Sequence, residues 1–280
     1  MTSGIFAGYL RRLGFPEPPR PTAEALFALQ RAHVERVPYE NVDIQLGRAP
    51  GLDPVQSARR IAEGRGGYCF HVNGAFAALL ESLGYDVSRH VGGVHHDPDA
   101  RTVTGDHLAL TVRVDGAEYF VDTGLGDGPH DPLPLRAGTH RQGDFSYVLE
   151  PLEGPEPGWT FLTSYGPCPV TVFRSAPAAL ADFEAEHVRL STSPESGFVR
   201  TLVMIRRDAE SIDVLRGRVL GRIDPAKGPS ERELNTPEEL YEVMATVFGR
   251  TLDDLTPADR AALWEQVCRA HATWLAARAG

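Results

Sequence analysis

Residues 65–84 read RGGYCFHVNGAFAALLESLG, and their spacing organises everything around them. Val72, Ala75, Phe76, Leu79, Leu80 and Leu83 recur at three- and four-residue steps, which predicts one buried face of a helix, and Gly84 supplies the C-terminal stop. Cys69 stands directly behind two glycines at the start of that helix. Unpaired N–H groups and the positive end of the helix dipole stabilise a thiolate there, and the glycines let the backbone turn tightly enough to present the sulfur. A lone cysteine is more often a small buried hydrophobe, so this position needs a partner elsewhere before it points to chemistry.

The partner comes from strand arithmetic. Asp115-Gly116 is a two-residue hairpin turn, so Val114 should face Ala117, Arg113 Glu118, Val112 Tyr119, Leu110 Val121 and Ala109 Asp122. In that register Arg113 and Glu118 form an opposite-charge pair, while Leu110, Val112, Tyr119 and Val121 share the other face. His107 and Asp122 become diagonal neighbours on one face, roughly 7–8 Å apart along the backbone, a gap their side chains can bridge. An aspartate that fixes the imidazole tautomer leaves the second ring nitrogen as a base, the other half of a Cys–His–Asp relay.

Further out, the pattern changes twice. Upstream, Ala25, Leu29 and Ala32 between Pro21 and Val37 mark a helix behind the N-cap Thr22. After Asp86 the chain turns to short apolar runs broken by Gly, Asp and Pro, which read as antiparallel strands. An alanine- and acid-rich stretch from Ser175 to His187 reads as helix, and Phe198–Ile205 with Ile212–Leu215 as a strand pair. Thr236-Pro237-Glu238-Glu239 opens a helix carrying Leu240, Val243, Met244 and Val247, and Thr256-Pro257 opens another carrying Leu263, Trp264, Val267 and Trp274. The fold class is therefore α+β.

The chain has 280 residues, 42% of them hydrophobic and 24% charged, so it can bury more than one core. Its formal net charge of −10 disfavours nucleic acid or an anionic membrane as partner. No stretch is long and apolar enough to span a bilayer, and Met1–Tyr9 lacks a signal-peptide pattern, which points to the cytoplasm. The three cysteines form no CxxC pair, and Cys168 and Cys268 read as structural. His95, His96, Asp97 and Asp99 read as a polar loop tip rather than a metal site, and no metal is required.

At these residues the chain resembles the arylamine N-acetyltransferases, whose signature is Arg-Gly-Gly-x-Cys followed by an acidic residue and an asparagine. Here it reads Arg65-Gly66-Gly67-Tyr68-Cys69-Phe70-His71-Val72-Asn73. Val37-Pro38-Tyr39-Glu40-Asn41-Val42-Asp43, Asp106-His107-Leu108, Val121-Asp122-Thr123-Gly124-Leu125-Gly126 and Ser191–Phe198 are similar to further family segments in the same order. The resemblance implies a helical domain over 1–86 carrying the nucleophile, a β-barrel over 87–190 carrying the histidine and aspartate, and an α/β lid over 191–280. It implies Cys69 as nucleophile, His107 as general base and acid, and Asp122 as its orienter. Tyr39, Phe70, Gly124, Leu125 and Gly126 would line the substrate, with Arg65, His71 and Asn73 behind them.

The implied reaction is two-step acyl transfer from a coenzyme A thioester, acetyl-CoA or another, to an arylamine, hydrazine or N-hydroxyarylamine. No permanently bound cofactor is expected. Family relatives also act as amide synthases fed by an acyl carrier protein, and a cysteine hydrolase would use the same three residues. His71 stands where the family usually has glutamate, and Tyr39, Thr123 and Leu125 replace its usual Phe, Val and Phe, which points to an altered acceptor. The identity of the physiological amine and acyl group, and the oligomeric state, are not encoded in any motif.

Overall fold

The computed structural model describes residues 4–166 and 168–279. The first part is helical: α1 (Gly4–Leu13), α2 (Ala23–Arg36), a two-residue strand β1 (Tyr39–Glu40), α3 (Val42–Gln45), α4 (Pro54–Ala62) and α5 (Cys69–Leu83). Thr22 caps α2 by accepting from the Ala25 N–H, and Gly84 ends α5 in the left-handed region at φ 95°, a conformation glycine adopts without strain. The expected helix behind Cys69 therefore starts and stops where its residues said it would.

Eight strands follow: β2 (Asp86–His95), β3 (His107–Val114), β4 (Ala117–Val121), β5 (Leu133–Pro134), β6 (Gly138–Gln142), β7 (Phe145–Leu152), β8 (Gly158–Thr163) and β9 (Val170–Arg174). They form one antiparallel sheet in the order β5-β4-β3-β2-β9-β8-β7-β6. Only residues 135–137 join the edge strands β5 and β6, so the sheet has curled back on itself into a nearly closed barrel. Aromatic residues Phe120, Phe145, Tyr147, Phe161 and Phe173 fill its interior, while Leu108, Leu110, Val112 and Val121 pack against the helices.

The β3–β4 hairpin has the expected register, from Leu110 opposite Val121 to Val114 opposite Ala117. Asp115 and Gly116 both take positive φ, 52° and 78°, the signature of a turn whose twist matches that of its strands.

The last part contains α6 (Glu184–Thr192), α7 (Gly197–Arg200), β10 (Val203–Arg207), β11 (Ile212–Arg216), β12 (Val219–Ile223), β13 (Ser230–Glu233), α8 (Pro237–Thr246) and α9 (Pro257–Ala279). Thr236 caps α8 as expected. The second sheet runs β1-β10-β11-β12-β13, so the first, helical part lends it an edge strand, with Tyr39 opposite Ile205 and Glu40 opposite Met204. Two expectations need correction here. Residues 175–179 are not helical, because the Ala178 N–H donates to the Arg89 carbonyl and ties the segment to the barrel; a short 3-10 turn (Leu180–Phe183) precedes α6. Residues 198–202 are not strand either. Ser196 caps a short helix, and Asn41 clamps its end by donating to the carbonyls of Phe198 and Thr201 and accepting from the Val203 N–H, each at 2.8 Å.

Candidate active site

Cys69 is the first residue of α5, where backbone N–H groups have no intrahelical acceptor. The turn before it is held from behind: Glu40 accepts from the N–H groups of Gly66 (3.1 Å) and Val42 (2.6 Å), and Arg250 lies 3.3 Å from the same carboxylate. The Glu40 N–H in turn donates to the Gly67 carbonyl at 3.0 Å. The Cys69 Sγ sits 3.5 Å from the Asp106 carbonyl oxygen, one residue before His107.

His107 Nε2 lies 2.7 Å from Asp122 Oδ2, with both side chains almost wholly buried. Burial opposes a charged ring, but the Asp122 charge and hydrogen bond, together with a hydrogen bond to Cys69, lift the His107 pKa to about 10. The imidazole thus has carboxylate on one side and sulfur on the other.

The carboxylate is itself fixed. Asn73, one turn after Cys69 on α5, donates through Nδ2 to Asp122 Oδ1 (2.9 Å) and to the Leu108 carbonyl (2.7 Å), and its Oδ1 accepts from the N–H and hydroxyl of Thr123, both 2.8 Å. The Gly124 N–H adds a third donor to Asp122, at 2.8 Å. Every hydrogen-bonding position of the buried amide is used, so Asn73 locks the helix carrying the thiol to the strand end carrying the aspartate.

Gly124 must be glycine: a Cβ would stand 2.7 Å from Asn73 Nδ2 and 2.8 Å from the Cys69 Cα. Gly126 has φ 76° and packs against Ile205, to which Tyr39 is also paired. Tyr39 and Leu125 are half-buried and share one apolar cluster with Ile205. Ile205 also lines a cavity of about 590 Å³ between the second sheet, the end of α9 and the barrel's 164–166 turn. The 124–126 loop and β1 therefore connect the thiol to the cavity wall.

Three expected residues lie elsewhere. Phe70 is 1% exposed and packs on Tyr68, Phe183 and His187, because the residue after Cys69 on a helix points about 100° away from it. The Arg65 guanidinium turns outward and pairs with Glu63. His71 is buried beside Tyr68 and His187, with Nε2 3.2 Å from the Pro50 carbonyl; burial, then His187 and Arg60, push its pKa down to about 3, so the ring is neutral. Sequence reasoning missed the Asp106 carbonyl beside the sulfur and the Glu40–Arg250 pair behind the turn.

A family model for N-acetyltransferases matches residues 22–256. The chain belongs to the arylamine N-acetyltransferase family. The arylamine N-acetyltransferase of Mycolicibacterium smegmatis is 30% identical over 271 residues, covering 90% of this chain and 94% of the relative. The Mycobacterium marinum arylamine N-acetyltransferase, solved in complex with CoA, superposes with a TM-score of 0.83 at 27% identity, covering 95% of this chain and 99% of that one. Proansamycin X synthase of Amycolatopsis mediterranei is 33% identical over 131 residues, 45% of this chain and 50% of the synthase. The chain is accordingly an acetyltransferase-family enzyme with an α+β fold.

Proposed function

We propose that the protein moves an acetyl group from acetyl-CoA to an arylamine, hydrazine or N-hydroxyarylamine through an acyl-cysteine on Cys69. The observation that carries this reading is the buried relay of His107, Asp122 and Asn73 attached to a sulfur at a helix start. With His107 protonated, an imidazolium beside the sulfur favours the anionic sulfur that attacks. The new bond joins Sγ to the acetyl carbon, the bond from that carbon to the coenzyme A sulfur breaks, and the leaving thiolate takes the His107 proton. The amine nitrogen then forms a bond to the same carbon while the bond to Sγ breaks. His107 accepts the nitrogen's proton, which restores the starting pair of charges. The N–H groups opening α5 are suited to hold the oxyanion in both steps.

Cys69 is 3% exposed and His107 and Asp122 each 1%, which supports transfer over hydrolysis, since water must be kept from the acyl-cysteine. Incubation with acetyl-CoA and intact-mass measurement tests the reading. An acetyl adduct is expected that disappears on adding an aromatic amine or hydrazine and never forms on Cys69→Ala. Rapid loss of the adduct in water alone would select a hydrolase instead.

Similarity to proansamycin X synthase favours one second reading, an amide synthase that takes its acyl chain from a carrier-protein thioester. Loading by carrier-bound thioesters but not by acetyl-CoA would select it.

A further inference from the structure

Arg250 is a wholly buried cation outside the relay. It lies in the segment between α8 and α9, 0% exposed, and its Nη1 and Nη2 donate to the two carboxylate oxygens of Asp254, each at 2.8 Å, with a further bond from Nη1 to the Thr251 carbonyl. Among the described residues its Nε makes no hydrogen bond and stands 3.3 Å from Glu40 Oε1 as an ion pair, with Glu40 itself 2% exposed. The same segment is sewn to the chain just ahead of the nucleophile. The Thr251 N–H donates to the Gly64 carbonyl at 2.9 Å and its hydroxyl to the Glu63 carbonyl at 3.0 Å, and Gly64 (φ 91°) faces Thr251 so closely that any Cβ would collide with it. On the other side Arg12 of α1 donates to the Gly249 carbonyl at 3.0 Å. Bonds to several elements therefore fix where Arg250 stands.

Glu40 carries the effect forward. Its carboxylate accepts from the Gly66 and Val42 N–H groups, its N–H donates to the Gly67 carbonyl, and a Cβ on Gly66 would stand 3.0 Å from its Cγ. A negative charge is thus seated against the two glycines that lead into Tyr68 and Cys69. A buried carboxylate without a cation is costly, and its field opposes a second negative charge on a nearby sulfur. The neighbouring charges are engaged elsewhere: Asp43 on α3 pairs with Arg48 and with Arg60 on α4, Arg65 turns out to Glu63, and Arg12 donates to the carbonyls of Arg36 and Gly249. Around the sulfur stand His107, Tyr39 and Tyr68. Among the described residues Arg250 alone forms an ion pair with Glu40.

We infer that Arg250 is a positioning residue for acylation: by balancing the Glu40 charge it holds the turn into Cys69 and lets the sulfur become anionic beside the His107 imidazolium. This rests on the reading of Cys69 as nucleophile.

The test is the rate of Cys69 alkylation by iodoacetamide against pH, followed by peptide mass so that the other cysteines are counted apart; it reads the charge on the sulfur without any acetyl donor. Removing the cation and removing the carboxylate should move the midpoint of the acid limb in opposite directions. Arg250→Met should raise it by roughly one pH unit, Glu40→Gln should lower it, and the double variant should return to within about 0.3 unit of the wild type. On the acid side of that midpoint acetyl loading of Arg250→Met should be slowed about tenfold, the same shift read as a rate. Arg250→Lys keeps the charge without the forked bonds to Asp254, so its alkylation midpoint should stay with the wild type while its thermal midpoint falls. Thermal midpoints that fall with unmoved alkylation midpoints, or two single variants that shift in the same direction, overturn the inference. If Arg250→Met does not fold, Glu40→Gln and Arg250→Lys decide: an unmoved midpoint in the first, or a raised one in the second, overturns it. Opposite shifts without acetyl loading of the wild type would leave the part Arg250 plays in thiolate formation standing and remove the transferase reading, whereas loading without the shifts does the reverse.

Discussion

Asn73 shows how much one uncharged side chain can organise. It sits one helical turn from Cys69 and holds the carboxylate that holds the imidazole. Asn73→Ala removes one of three donors to Asp122 and strands the Thr123 hydroxyl. Single-turnover acylation of Cys69 should fall roughly 10- to 100-fold while the thermal midpoint drops by a few degrees, the scale expected when a buried network loses a member. Asp122→Asn should cost more, about 10³–10⁴ in rate, because an amide favours the wrong imidazole tautomer. Unchanged acylation rates at neutral pH in either variant would contradict the relay. Gly124→Ala tests the spacing without touching a polar group: its Cβ would press on both Asn73 and the Cys69 backbone, and loss of acylation together with lowered stability is expected.

Among the elements, the β3–β4 hairpin is the one whose geometry the relay needs most. Its turn residues take positive φ, and its register decides that His107 and Asp122 meet. The turn is also tied to the helical part, since the Ala23 N–H donates to Asp115 Oδ2 at 2.7 Å. Gly116→Ala forces a side chain into φ 78° and should destabilise the fold by about 1 kcal/mol, read as a lower urea midpoint at unchanged slope. The hairpin was legible beforehand because turn, alternation and charge pairing are all local. The segments at 175–179 and 198–202 were not, because their partners Arg89 and Asn41 lie about 90 and 160 residues away and override local propensity.

At the scale of the whole molecule, two buried histidines set the acid limit. Burial, with Arg12 nearby, lowers the His33 pKa to about 3, and burial with His187 and Arg60 does the same for His71. Between pH 6.5 and 3 the unfolded chain binds protons that the folded chain refuses, so stability falls as the pH falls through that window. At pH 5 each histidine should cost about 2 kcal/mol relative to neutral pH. Denaturant unfolding at pH 7.5 and 5 is the check: His71→Gln should flatten the dependence, and an equally steep loss in the variant would remove His71 from the account. His107 has the opposite sign, since its pKa is raised to about 10 by Asp122 and Cys69 against burial; its contribution is fully present below pH 6.5 and fades toward pH 10.

The sequence by itself determined the helix behind Cys69, the hairpin that aligns His107 with Asp122, and the family, because each rests on short spacings or ordered motifs that survive without a third dimension. Only the tertiary structure decided which flanking residues reach the site. It turned Arg65 outward and Phe70 into the core, and recruited the Glu40–Arg250 pair behind the turn that leads into Cys69. Direction around a helix and contacts between distant segments depend on how whole elements dock, and docking is settled by the sum of many buried contacts that no single motif contains.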